Sequence, residues 1–198
     1  MNTDVMIDME TLALGTQPTI LTIGACKFDP FGDEQKNPAM EVFYIRLDIE
    51  SQTAIGREVY DSTVEWWGKQ SPEAQEEALG EPTADNPRYT ITEAFDKLHK
   101  FCWGAKRTWS NGSIADVVWS ETAFKQIGRN TPWKFWEVRD VRTAFDMGFN
   151  PNMPPVTSHH ALEDAVNQAI AIQNVYRQLA ACRQPDGSPV VPFTNWKK

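Results

Sequence analysis

The chain has 198 residues, 41% hydrophobic and 23% charged, the composition of an ordinary globular protein. At this length one domain buries roughly 70% of the surface its unfolded chain exposes, so no disulfide or structural metal is needed to hold a core. Lys and Arg number 19 against 27 Asp and Glu, a formal net charge of -8, which argues against gripping nucleic acid or anionic membrane through bulk positive charge but leaves room for a local site.

The opening residues, MNTDVMIDMETLALGTQ, have neither a basic start nor a long apolar core, and nowhere do ~18 consecutive apolar residues run together as in a membrane span. Cys26, Cys102 and Cys182 are odd in number and far apart, with no metal-ligand spacing, so they read as plain thiols of a protein in the reducing cytoplasm. In chain order, Val5 to Ile7, Ile20 to Phe28 and Val42 to Leu47 are β-branched and aromatic runs, with a turn at residues 29–33, and are expected to form three neighbouring strands. Residues 61–80 are expected to be helical, with starts at Ser62 or Thr63 and at Ser71-Pro72, and 81–90 to be a loop.

Ile91, Phe95, Leu98 and Phe101/Cys102 recur at helical spacing behind Thr90 or Thr92 as cap. A strand at Lys106 to Trp109, an Asn111-Gly112 turn, a helix from about Ala115 to Ile127, a strand at Glu137 to Val141 and a helix over Arg142 to Met147 follow. A Pro-rich loop through Pro151, Pro154 and Pro155 then leads to a long helix from about Ala161 to Cys182. Strands first, then alternating helix and strand, predict an α/β mixed β-sheet flanked by helices in one domain over 1–182, with 183–198, including Trp196, as a loose tail or strap.

Asp8-Met9-Glu10 directly follows the first apolar strand residues. Side chains at i and i+2 of an extended chain share a face, so the two carboxylates can converge on a hard cation such as Mg²⁺; alone, the pair is equally a solvated strand end. Asp116 follows a strand and a tight turn, where it can also simply cap a helix. In SHHALEDAVNQAI, His159 and His160 precede an acidic first turn with Glu163 and Asp164, and two of the chain's three histidines sit there.

Asp8, Glu10, Asp116, His159 and Asp164 stand in an order and separation that resemble the DEDDh exonucleases, the superfamily of oligoribonuclease, RNase T and polymerase proofreading domains. VMIDMETL is similar to its first motif, SNGSIAD to its second and HHALEDA to its third, which is the most specific. TVEWWGKQ, WSNGSIAD, TPWKFWEVRDVRT and HHALEDAVNQA resemble more closely the subgroup of phage exonuclease A, the exonuclease VIII type and the mycobacterial exoribonuclease type. Ala115 departs from that pattern, which commonly has an aromatic residue there.

The resemblance implies an RNase H-like fold and hydrolysis of single-stranded DNA or RNA from the 3′ end to 5′-mononucleotides with two Mg²⁺ ions, Mn²⁺ substituting. It further implies that Asp8 bridges both ions, that Glu10 and Asp164 complete one site and that Asp116 helps hold the other. His159 is then the general base, in the range where imidazole titrates. Helical geometry alone favours His160, four residues from Asp164; the family's spacing selects His159, on a loop signalled by Pro154, Pro155 and Ser158.

Thr11 and Leu12 match positions that touch the terminal nucleotide, Leu12 as a wedge, and one of Trp66 and Trp67 is available to stack a base. Arg139 and Arg142 are expected to contact phosphate or to form internal ion pairs. Competing readings are an exoribonuclease confined to RNA ends or short oligoribonucleotides, a nuclease-shaped binding module without turnover, and an acidic interaction protein with coincidental carboxylates. The resemblance leaves homodimerisation open, and a phage-encoded chain would act in the host cytoplasm.

Overall fold

A computed structural model describes residues 2–153, 159–182 and 184–188. Pro154, Pro155, Ser158 and the tail residues 189–198, including Trp196, lie outside the described residues. Six strands form one sheet in the order β4-β3-β2-β1-β5-β6: β1 Asp4–Thr11, β2 Ile20–Phe28, β3 Glu41–Leu47, β4 Arg88–Tyr89, β5 Arg107–Ser110 and β6 Val138–Asp140. The three expected strands form an antiparallel meander, whereas β5 runs parallel to β1 and β6 parallel to β5. The loop expected over 81–90 contains the two-residue β4, parallel to β3.

The helices are α1 Glu50–Thr53, α2 Asp61–Trp67, α3 Pro72–Leu79, α4 Ile91–Cys102, α5 Asp116–Gln126, α6 Val141–Phe145 and α7 Ala161–Ala181. A 3-10 turn over Phe135–Glu137 takes the first residue of the strand expected at Glu137. Local chemistry sets several boundaries. The Ser71 hydroxyl accepts from the Ala74 amide with Pro72 at the first helical position, and Thr90 and Glu93 form a reciprocal capping box that contributes about 1 kcal/mol to α4.

Strand alternation divides the core. Val5, Ile7 and Met9 of β1, with Ile23 and Ala25 of β2, face a layer built from Ala94, Phe95 and Leu98 of α4 and Ala123 and Phe124 of α5. Met6, Cys26 and Phe28 point the other way, against Ala165, Ala169 and Ile172 of α7. Each such aliphatic or aromatic side chain contributes roughly 1.5 to 3 kcal/mol on burial. Asp8 and Glu10 share parity with Met6 and therefore belong to the α7 face. Asp4, on the same face at the other end of β1, is fully buried; Arg107 reaches its carboxylate at 3.0 Å and the Trp109 indole N–H donates to it at 2.9 Å.

The register between β1 and β2 slips after Glu10, which pairs with Thr22, because Thr11 pairs with Ile20. Leu21 is thus an extra residue on β2, and such a bulge bends a strand and re-aims the side chains beyond it. It lies at the carboxyl end of β1, the strand with antiparallel β2 on one side and parallel β5 on the other.

Candidate active site

Three elements deliver carboxylates to the carboxyl end of β1. Asp8 and Glu10 come from the strand itself and Asp164 from the first turn of α7, and one oxygen of each lies within 4.8 Å of the others. Asp116, the first residue of α5, is buried nearby without joining that group, and it senses the charges of Asp8 and Glu10. His159 stands immediately before α7 in a left-handed conformation with φ 53°, and its ring packs edge-on against Trp66 at 4.9 Å and Trp67 at 6.3 Å.

What lets α7 begin so close to the sheet is Gly24. It pairs with Asp8 across the β1-β2 ladder, and a Cβ at this position would lie 2.2 Å from the Ala161 carbonyl carbon and the Leu162 nitrogen. A bare backbone is required for that approach. One turn beyond Asp164, the Gln168 side-chain amide donates to Asp8 Oδ1 at 2.9 Å. Gly24 and Gln168 were not singled out in the sequence; for Gln168 the signal was available, since it lies four residues from Asp164 and hence on the same helix face.

The electrostatics are those of acids without a counter-charge. Burial, reinforced by the Asp164 carboxylate and opposed by the Gln168 hydrogen bond, pushes Asp8 up to about 7. Burial and then the charges of Asp8, Asp164 and Glu77 push Glu10 up to about 9. Asp116 is also held well above the usual carboxylate range, chiefly by burial and then by Asp8. Asp164 is raised by burial, with His159 and His160 working against the shift. An all-oxygen donor set whose members resist ionising together fits a divalent hard cation, which removes both the repulsion and the desolvation penalty.

Beside the carboxylates opens a cleft of about 430 Å³ lined by Glu10, Thr11, Leu14, Thr63, Trp66 and Trp119, among others. The tryptophan pair divides: Trp67 is core, its indole N–H donating to the Thr11 carbonyl at 3.0 Å, while Trp66 remains 41% exposed on the cleft wall. Thr11 is buried and its hydroxyl donates to the Ala13 carbonyl at 2.8 Å. Lying past the bulge, Leu12 is 5% exposed and packs with Leu21, Trp67, Ala74 and Ala78, whereas Leu14, 76% exposed, presents the apolar side chain to the cleft.

His160 turns away from His159, its ring against Tyr44 at 5.2 Å and its Nε2 3.8 Å from Glu77 Oε1. Arg142 forms no ion pair among the described residues; its Nε donates to Asn111 Oδ1 at 3.2 Å. Arg139 donates to the Trp136 and Val138 carbonyls.

Comparison with known proteins gives this geometry a lineage. A family model described as the Rv2179c-like 3′-5′ exoribonuclease domain matches residues 3–176. An exodeoxyribonuclease of Enterobacteria phage T4 is 26% identical over 168 residues, 72% of this chain and 70% of its own. The RNase domain of the yeast Pop2 protein has a TM-score of 0.53 at 11% identity, covering 95% of this chain and 81% of that one. S. pombe Pop2p in its Mg²⁺- and Mn²⁺-bound form has a TM-score of 0.51, also at 11% identity, with coverages of 94% and 85%. These last two likenesses concern the fold, a mixed sheet flanked by helices of the RNase H-like kind. With the match running from β1 into α7, the chain belongs to the Rv2179c-like 3′-5′ exoribonuclease domain family and is a 3′-5′ exonuclease.

Proposed function

We propose that this exonuclease removes 5′-mononucleotides from the 3′ end of single-stranded DNA or RNA, with Asp8, Glu10, Asp116 and Asp164 holding two Mg²⁺ ions and His159 as general base. The observation that carries the reading is the convergence of Asp8, Glu10 and Asp164 within 4.8 Å beside a cleft walled by tryptophan. The motif resemblance assigns Asp8 to both ions, Glu10 and Asp164 to one and Asp116 to the other, and Asp116 senses the charge of Asp8 before that of Glu10. When bound, such ions activate water and stabilise the leaving oxygen of an in-line displacement.

The chain's own side chains supply the rest. Gln168 fixes one Asp8 oxygen by its 2.9 Å hydrogen bond and so orients the carboxylate. His159 takes the proton of the attacking water on its imidazole, which stands near the Asp164 carboxylate. Trp66 offers an indole to the terminal base and Leu14 an apolar side chain to its flank, while Thr11 shapes the cleft floor. The two buried thiols, Cys26 and Cys102, fit a cytoplasmic setting, that of the host if a phage encodes the chain.

The names of the relatives point to both sugars, ribose in the matched family and deoxyribose in the phage enzyme. A preference for RNA ends is therefore the second reading. Matched 5′-labelled DNA and RNA oligomers with Mg²⁺ test both: a ladder shortening from the 3′ end, abolished by Asp8→Ala, is expected. Turnover on RNA alone selects the second reading. Binding of either oligomer without hydrolysis, even with Mn²⁺, overturns both.

A further inference from the structure

Asp8, Gly24 and Tyr44 form one row across β1, β2 and β3, each paired with the next, and all three face α7. The first turn of α7 sits over Gly24, in a slot with the acidic cluster on one side and Tyr44 on the other. On the Tyr44 side, the His160 ring lies against the phenol with centroids 5.2 Å apart and planes inclined by 35°. The Tyr44 hydroxyl donates to Glu77 Oε1, the same oxygen that His160 Nε2 approaches at 3.8 Å. Three elements, β3, α3 and the N-cap of α7, thus meet at one carboxylate.

His160 occupies the N-cap position without making a side-chain cap hydrogen bond, and its Nδ1 and Glu77 Oε2 are buried with no hydrogen-bond partner among the described residues. Asparagine, aspartate or serine would cap the helix better. A residue with this placement is poorly explained by helix stability alone. Its neighbour His159 holds φ 53°, a conformation a non-glycine residue keeps only where its surroundings enforce it.

We propose that Tyr44, Glu77 and His160 form a clamp that anchors the start of α7, so that His160 is a positioning residue setting the His159 ring against Trp66 at the mouth of the cleft. The two histidines then divide the work: the first faces the substrate and the second holds the first in place. The inference rests on the assignment of His159 as general base.

His160→Asn is the decisive variant, because it improves the cap while removing the ring from Tyr44 and Glu77; Tyr44→Phe, which keeps the ring and loses the hydroxyl, is the second. With three histidines in the chain, imidazole resonances in the metal-free protein are individually resolvable, and the His159 signal carries the ring-current displacement of Trp66 and Trp67. In both variants that signal is expected to move towards the position of a free histidine. In His160→Asn the melting temperature is expected to hold or rise, while kcat falls ~10- to 100-fold at unchanged KM, the cost of a misplacement near 1 Å.

An unmoved His159 signal in His160→Asn, or kcat within about twofold of wild type, overturns the clamp. His159→Ala, measured alongside, separates the two ideas. Loss of turnover there with none in His160→Asn sinks the clamp and leaves the base assignment standing. Retained turnover in His159→Ala sinks the base assignment, while the resonance still decides the clamp.

Discussion

Replacing Gly24 by alanine adds one methyl group where the chain has no room for it. The new carbon would lie 2.2 Å from the carbonyl carbon of Ala161 and the nitrogen of Leu162, and 2.3 Å from the Ala161 oxygen. Comfortable contact between non-bonded carbons is about 3.5 to 4 Å, so α7 and β2 must separate by roughly 1.3 Å or more at this point. All three obstructing atoms are backbone, so no rotamer change relieves the clash.

Asp164, three residues along the same turn, moves with the helix, while Asp8, opposite Gly24, stays with the sheet. Overpacking of this kind costs about 1 to 3 kcal/mol of stability. Mg²⁺ demands near-ideal octahedral geometry at about 2.0 to 2.1 Å, and a displacement near 1 Å costs about 10²-fold in rate. Gly24→Ala is therefore expected to fold with a lowered melting temperature, to bind Mg²⁺ weakly by titration calorimetry, and to lose about two orders of magnitude in kcat on a labelled oligomer. A folded variant with wild-type Mg²⁺ affinity and kcat within about threefold would refute the view that this close approach holds the carboxylates together.

The metal-free protein should be least stable at high pH. Glu10 and Asp8 keep their protons up to about 9 and about 7 in the fold, against 4.5 and 3.8 for freely solvated glutamate and aspartate, so the folded chain binds more protons than the unfolded one across that window. Stability is then fully present below the unfolded values and is lost as pH rises through the folded ones, so the melting temperature should fall from about pH 5 to about pH 9. Added Mg²⁺ should raise it more at about pH 8 than at about pH 5; equal shifts in calorimetric scans would contradict the proposed ligand set. The two tryptophans should part company as well. Trp66→Ala is expected to raise KM roughly 5- to 150-fold, the equivalent of about 1 to 3 kcal/mol of base stacking, with little change in melting temperature. Trp67→Ala should cost about 3 to 5 kcal/mol in denaturant unfolding, and the reverse pattern would exchange their roles.

What the sequence disclosed was local. β2 matches its expected limits because a short, mostly apolar run bounded by Pro18 and by the Asp29-Pro30 turn marks itself as a buried strand, and α4 follows from one apolar face behind a Thr-x-x-Glu start. Asp8 and Glu10 share a face for the same arithmetic reason. Elements α1 and β4, with four and two residues, are too short to hold a period and owe their conformation to neighbours. The burial of Leu12 depends on Leu21, Trp67, Ala74 and Ala78 arriving from three other elements, which nothing in a single strand announces, and Leu14 two residues on is left exposed. Gly24 acquires its meaning only when a helix 137 positions later crosses it, and His160 only when Tyr44 and Glu77 arrive from two other elements. Long-range contacts of this kind leave no periodic trace.

The sheet ends in stubs. Its outer strands, β4 and β6, contain two and three residues, while the four between them carry most of the ladder. A long unpaired strand edge is a template on which another polypeptide can add, and stubs this short offer too few free amides and carbonyls to recruit one. The stub β4 pairs with Arg46 and Leu47 alone, however, so the outer edge of β3 over residues 41–45 has no strand partner among the described residues and is the margin at which a second chain could add to the sheet. Fibre-like association would start from that margin, so the onset of aggregation in a heated sample should follow local opening beside β3 before the central strands part.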